Sequence, residues 1–347
     1  MLDEEKGYQG GFPEWVMLRV YQGLILKGVL QGILFKAGAG CRDYDEFQRL
    51  MGDYRKLQGS ILKSLEGFTG PGRLGQSLLR LADKSSVVGI PIKYFTYRMH
   101  GREFIKPIKR FVEKWMNPQA RSGGRLDILI TGEGYMRLAQ AEQIFGFLLG
   151  EIGFQRFNLQ VSPVLSYLEI LLEEAEEKCR TELQMIRARQ LRTGNNKKDS
   201  RLRSNEKRKL RKTRLIRFIL RRVLARPLYR ASGLHLPPAV NEVIEASRTL
   251  LPTYRPLGEL SPYVGEALVE LRDGADIVLN VAPNGCMVST MGEVLTPSIM
   301  HADGVESGRI QTLLSAEGDV DEEALSLAVL KAMGPQRYYQ VDKQALA

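Results

Sequence analysis

Histidine and cysteine are scarce in this chain, with three of each in 347 residues. His100, His235 and His301 lie too far apart for any metal-ligand spacing of the HExxH kind. Cys41, Cys179 and Cys286 are odd in number and widely spaced. That excludes a dense disulfide framework and points to a reducing compartment, so a cytoplasmic location is expected. No GxxxxGK[ST] stretch occurs, which excludes a P-loop. Met1 is followed by Asp3, Glu4 and Glu5, where a secretory leader carries a basic end, so none is expected. The most apolar stretch, 15–35, is broken by Arg19, Gly23, Lys27 and Gln31 at four-residue spacing. That spacing lines the polar groups along one stripe, the pattern of a buried amphipathic helix rather than a membrane span.

What remains is the composition of a folded protein, 44% hydrophobic and 26% charged. The net charge of +10 is unevenly spread. Residues 187–230 carry 18 Lys and Arg against two acids, Asp199 and Glu206. Outside that segment, 32 basic residues face 38 acidic ones, so the remainder is mildly acidic.

Periodicity and punctuation divide the chain into four parts. Residues 1–123 read as mainly helical, with Asp43 or Asp45 capping a helix that Gly67 ends, a turn cluster at 68–75, short helices bracketed by Pro91 and Pro107, and a linker at 121–124. Residues 124–190 open a βαβ unit: a strand at 126–130, a glycine-rich loop, a helix at about 136–149 and a second strand at 156–161. A long helix follows over 163–190. Residues 191–259 form a basic helical insertion, with a helix over 199–226 that Pro227 ends and another over 240–250. Residues 260–347 form a second α/β unit, with a helix at 263–271, strands at 275–281 and 310–314, a helix from Ser289, and a last helix at 321–333 stopped by Gly334-Pro335. The fold class expected is α/β, with Rossmann-like parallel sheets in two subdomains.

Two loops stand where ligands sit in open parallel sheets, at the carboxyl end of a strand. Gly132-Glu133-Gly134 offers backbone N–H groups to an anion, or is simply a tight turn. The third glycine of a dinucleotide fingerprint would fall at Arg137. Pro283-Asn284-Gly285-Cys286-Met287 places a thiol at a helix N-terminus, where the thiolate is favoured, or packs a small residue under a loop. Arg42, in the glycine-rich 37–44 connection, is of a type that holds a carboxylate or phosphate. Cys41 reads as part of a helix–helix turn and Cys179 as inert. The basic segment contains one aromatic residue between 187 and 226, Phe218, so nucleic-acid binding is not expected. The acidic 169–182 helix before it invites an antiparallel helical pair.

The segments Gly132-Glu133-Gly134-Tyr135-Met136-Arg137, Ser261-Pro262-Tyr263-Val264-Gly265-Glu266-Ala267 and Pro283-Asn284-Gly285-Cys286-Met287, in that order and spacing, resemble a known family. It comprises the proteins related to 2-hydroxyacyl-CoA dehydratases, benzoyl-CoA reductases and their activators. Cys41-Arg42-Asp43-Tyr44-Asp45 is similar to a further segment of it, with Asp in place of Pro and of Glu. Val288 departs from the family's Pro. The resemblance covers about residues 15–340. It implies a Rossmann-like fold and a part in acyl-CoA chemistry or low-potential electron transfer in anaerobic metabolism. It implies a [4Fe–4S] cluster with Cys286 as a ligand and the remaining ligands on a partner subunit, because the family's amino-terminal cysteine-bearing half has no counterpart here. An ATP-dependent activator protein is an implied partner. The activators' own D-x-G-S-T motif is absent, so no ATP site is expected in this chain. Gly132, Glu133, Arg137, Gly285 and Arg42 are the accompanying cofactor-site residues. The alternative is a non-catalytic subunit that has lost its cluster and docks a partner through the basic helix.

Overall fold

The computed structural model describes residues 14–67, 77, 89–116, 125–194, 197–251, 258–315 and 318–345. The expected turn at 68–75 and the linker at 121–124 lie outside them. Three helices open the chain: α1 (Glu14–Ala39), α2 (Tyr44–Glu66) and α3 (Gly89–Trp115). Then come β1 (Leu126–Gly132), α4 (Gly134–Glu151), β2 (Phe157–Val161), α5 (Val164–Thr193) and α6 (Lys197–Phe218). A π-helical turn at Ile219–Ala225 leads straight into α7 (Arg226–Ser232). The remainder is α8 (Val240–Ser247), α9 (Leu260–Arg272), β3 (Ile277–Pro283), α10 (Met287–Met300), β4 (Arg309–Ser315) and α11 (Glu322–Ala345).

The four strands form one parallel sheet in the order β2-β1-β3-β4. The fold is thus α/β, mostly helical around a small parallel sheet. The expectation of two separate sheets is corrected at β1, which pairs with β3 from Ile128↔Ile277 to Gly132↔Val281 and so merges the two α/β units. Side-chain alternation divides the two faces, as a period of two requires. Ile128, Ile130, Ile277, Leu279 and Val281 pack into the larger core with α1, α4 and α11. Leu129 and Val278 point the other way, onto Val264, Leu268 and Leu271 of α9 and Ile299 of α10.

α1 is buried in the larger core, and neighbouring helices meet its polar stripe. Arg19 pairs with Glu103 of α3 at 2.6 Å and lies over the Phe104 ring. Gln31 donates to the Leu138 carbonyl of α4. Asp43, not Asp45, caps α2 by accepting from the Glu46 N–H at 2.8 Å.

Three helices run through expected breakers. α3 contains Pro107 and α11 spans Gly334-Pro335. Pro227 sits in the first turn of α7, just past the π turn, and Gly233 at φ +65° ends that helix instead. A proline lacks the N–H that closes an α turn, and a π turn is one way for a helix to continue around that gap. In α3, Phe104, Ile108 and Phe111 are buried on both sides of Pro107, so packing outweighs the lost hydrogen bond.

α5 and α6 run antiparallel, joined by an ionic zipper. Arg221 meets Glu169 at 2.9 Å, Arg217 meets Glu173 and Glu176, and Arg214 meets Glu176 at 3.1 Å. The acids recur at spacings of four and three, the arginines at three and four, so the two stripes match only in antiparallel register.

Candidate functional site at the carboxyl edge of the sheet

Strand connections leave β1 and β3 in opposite directions, β1 toward β2 and β3 toward β4. Such a reversal opens a crevice beyond the strands' carboxyl ends, the usual ligand position in open α/β sheets. Gly132 closes β1 at φ +100°. A Cβ there would lie 2.4 Å from the Val281 carbonyl oxygen and 2.6 Å from Asn280 Oδ1, so only glycine lets the two strand ends approach this closely. The Glu133 N–H then donates to the Val281 carbonyl at 2.9 Å, which places Glu133 as the first residue of the crevice.

Beneath the crevice lies a buried clamp. Glu266 of α9 is 7% exposed and Arg137 of α4 is 3% exposed. The Glu266 carboxylate accepts from Thr131 Oγ1 at 2.6 Å, from Ser162 Oγ at 2.5 Å and from Arg137 Nη1 at 3.5 Å. One carboxylate therefore joins the ends of β1 and β2 to helices from both layers. A buried charge with this many donors is held in one geometry, and removing a partner would leave the rest uncompensated.

Above the clamp, a second carboxylate closes the N-terminus of α4. Glu259 accepts from the Gly134 N–H at 3.2 Å. Its neighbour is Glu133, whose charge acts on it. Burial first, and then the adjacent Glu133 charge, push the Glu259 carboxyl up to about 7, against the opposing pull of Arg137 and the Gly134 N–H. A carboxyl that is desolvated beside another carboxylate favours its neutral form. Two tyrosines border the pair. Partial desolvation, then Glu133, Cys286 and Glu259, raise the hydroxyl of Tyr135, which is 59% exposed. Burial, then Glu259 and Glu133, raise that of Tyr167. Cys286 stands on the β3 side at the N-cap of α10, after Gly285 at φ +76°. Its thiol is partly exposed, and its carbonyl accepts from the Thr290 hydroxyl at 3.0 Å.

The structure thus brings Gly132, Glu133, Gly285 and Cys286 to one crevice. Arg137 lies under it, held by Glu266 rather than presented to a phosphate. Arg42 does not join them. It sits exposed in the α1–α2 turn, bonded to Glu46 at 3.1 Å. The Gly40 carbonyl in that turn accepts from Gln155, just before β2, so the turn is at the amino edge of the sheet. Sequence reasoning gave no role to Glu259, Tyr167 or Ser162. A signal was present for Ser162: it and Thr131 are hydroxyls placed where each apolar strand ends, and strand ends at a switch point face the ligand side.

The donor set also bears on the expected cluster. Among the described residues, no group of three Cys, His, Asp or Glu converges as a metal ligand set. Cys41 is buried, donates to the Ala37 carbonyl, and is pushed up to about 11 by burial and the charges of Glu46 and Asp43. Cys179 is buried on α5, beside Glu206 of α6. Neither reaches the crevice, so the described residues of this chain alone do not fit a [4Fe–4S] cluster.

No protein-family model, curated protein or solved structure matches the chain. Among the described residues, no helix is long and apolar enough to cross a membrane.

Proposed function

We propose that the chain is a 2-hydroxyacyl-CoA dehydratase-related protein that binds an acyl-CoA-type thioester at the β1–β3 crevice. The observation that supports this is a convergence. The three segments that carry the resemblance, 132–137, 261–267 and 283–287, are far apart in sequence. Yet Glu266 of the second holds Arg137 of the first, and Cys286 of the third is close enough to act on the Tyr135 hydroxyl. In this reading the sheet is a short Rossmann-like unit wound in both directions from its centre.

Glu259 is the proton-handling group, with Glu133 beside it. A carboxyl that titrates near neutrality both gives and takes a proton at working pH, which an ordinary glutamate does not. The buried clamp fixes its position, and Tyr135 and Tyr167 supply an apolar border with polar tips. An Fe–S cluster in such a system would need ligands from a partner subunit, with Cys286 this chain's contribution, and an ATP-dependent activator belongs to the same reading. A non-catalytic subunit docking through the basic helix is the weaker reading, since Arg214, Arg217 and Arg221 are turned onto α5.

The test is titration calorimetry with a short-chain 2-hydroxyacyl-CoA. Binding is expected, weakened at least tenfold by Glu259→Ala and by Tyr135→Ala, with Arg42→Ala unchanged. Absence of binding at millimolar thioester overturns the proposal.

A further inference from the structure

We infer that a second site, lined by none of the crevice residues, binds a small phosphate-bearing ligand through Arg222, Arg226 and Arg230. These three line an open cavity of about 400 Å3, walled on its apolar side by Tyr229, Leu234 and Leu236. That size suits a small organic phosphate rather than a single ion.

The case begins with the zipper. Where this chain neutralises arginines, it does so residue by residue, with Glu169, Glu173 and Glu176 each set against a guanidinium. The acidic stripe of α5 stops at Glu169; the residues before it in that helix include Leu165 and Leu168. The arginine stripe continues past Arg221 for nine more residues, to Arg230. Arg222, Arg226 and Arg230 are therefore the part that overshoots, and none of the three has an ion-pair partner among the described residues.

These arginines differ from Arg221 in having no partner of this kind. Arg226 N–H bonds to the Arg221 carbonyl, five residues back, which defines the π turn. Arg221 faces inward, donating to Glu169 at 2.9 Å and to the Pro237 carbonyl at 2.6 Å. Arg221 also borders the cavity, but its guanidinium is held by these partners, which leaves the other three for a ligand. The one carboxylate on the cavity wall, Glu242, accepts from the Ala239 N–H at 3.2 Å as a helix cap. Three like charges at four-residue spacing repel one another. Guanidinium forks match phosphate oxygens in pairs, and partial enclosure by Tyr229, Leu234 and Leu236 strengthens the attraction relative to open water. π turns inside α-helices occur frequently at functional sites, which agrees with this position.

The probes are inorganic pyrophosphate, read by calorimetry, and sedimentation with phosphatidylcholine vesicles with and without phosphatidic acid. The proteins are the full chain and its Arg226→Gln, Arg222→Gln and Arg208→Gln variants. Arg208 is an exposed arginine of α6 outside the cavity, so it controls for net charge. Pyrophosphate is expected to bind one to one, at least tenfold more weakly in R226Q and R222Q and within twofold of wild type in R208Q. The melting temperature of ligand-free R226Q should equal or exceed that of wild type, because a repulsion is removed. If R226Q fails to fold, the exposed R222Q decides. Sedimentation only with phosphatidic acid, lost in R222Q and kept in R208Q, also supports the site and makes a lipid headgroup its source. Binding of neither probe, or equal weakening in all three variants, overturns it.

Discussion

Substituting Glu259 by glutamine tests the raised carboxyl at the crevice directly. The amide keeps the oxygen that accepts from the Gly134 N–H and offers an N–H to Glu133, so geometry is conserved while the titration is removed. The sign follows from the raised value. Glu259 titrates near 7 in the folded chain against an ordinary 4.5. Between those values the folded state holds a proton that the unfolded state has released. Unfolding then releases protons, so wild-type stability falls as pH rises through that window and levels off above it. Below 4.5 both states are protonated and the contribution is fully present.

The magnitude has a ceiling. At about 1.4 kcal/mol per unit, the window corresponds to about 3 kcal/mol. Glu259 is only partly buried, and solvent screening reduces this to about 1–2 kcal/mol. E259Q should therefore gain about 1–2 kcal/mol on wild type between pH 5 and pH 8, whatever constant offset the amide introduces. Glu270 is raised to about 7 as well, by burial and then by Asp273, Glu266 and Asp127. It titrates equally in both proteins and cancels in the difference. Urea unfolding by circular dichroism at pH 5, 6, 7 and 8 gives the comparison. A difference that stays flat across that range would refute the raised Glu259 carboxyl and leave it an ordinary helix-capping carboxylate.

Three further outcomes are expected. Arg221→Met leaves Glu169, 1% exposed, without its closest cation; it should cost about 3–5 kcal/mol at pH 8 in urea unfolding, and adding Glu169→Gln should recover most of it. A silent R221M would mean that the zipper does not hold this end of α5. Gly265→Ala places a Cβ 1.9 Å from the Val243 carbonyl oxygen, so α8 and α9 must separate; a loss of about 3 kcal/mol is expected, and an unchanged melting temperature would show that the helices do not touch there. With a disulfide-exchange reagent the folded chain should show one fast thiol, absent in Cys286→Ser, with Cys41 and Cys179 reacting only in urea. Two fast thiols would place a second cysteine at the surface.

The strands and most helix starts were legible because they rest on local rules. Short apolar runs rich in strand formers marked β1 and β3, and Asp43 stood where a cap belongs. Ends were less legible at proline. Pro107, Pro227 and Pro335 all read as breakers, yet each helix continues, and in α3 burial on both sides of the gap outweighs one missing bond. The crevice was half legible. Each glycine loop follows an apolar strand, which is a local signal. The pairing of β1 with β3, more than a hundred residues away, is what sets the loops side by side, and it has no local signature. The same distance hid Glu259, whose role depends on a helix N-terminus that begins at Gly134. Arg137 misled for a physical reason: a long cation at a switch point suits an anion, but an internal carboxylate, Glu266, already occupies it.

The basic segment shows why net charge is a poor guide to a partner. Its arginines divide by register rather than by number. Those opposite Glu169, Glu173 and Glu176 are spent on holding α6 against α5, and only one antiparallel alignment satisfies all of them. An arginine one turn further along meets no acid, because the α5 stripe has ended. A helix evolved for pairing alone would gain nothing from cations there, since they repel one another and bind nothing in the chain. Their presence beside a concave, partly apolar wall is therefore the part of the charge that the fold leaves unexplained. Successive residues of a helix point in different directions, so Arg221 faces Glu169 while the adjacent Arg222 is exposed. If that division is correct, neutralising Arg214 or Arg217 should weaken the helix pair and spare pyrophosphate binding, whereas neutralising Arg222 or Arg226 should do the reverse. Urea midpoints and calorimetry on the same four variants separate the two effects, and a parallel loss of both in every variant would mean that the stripe acts as one undivided surface.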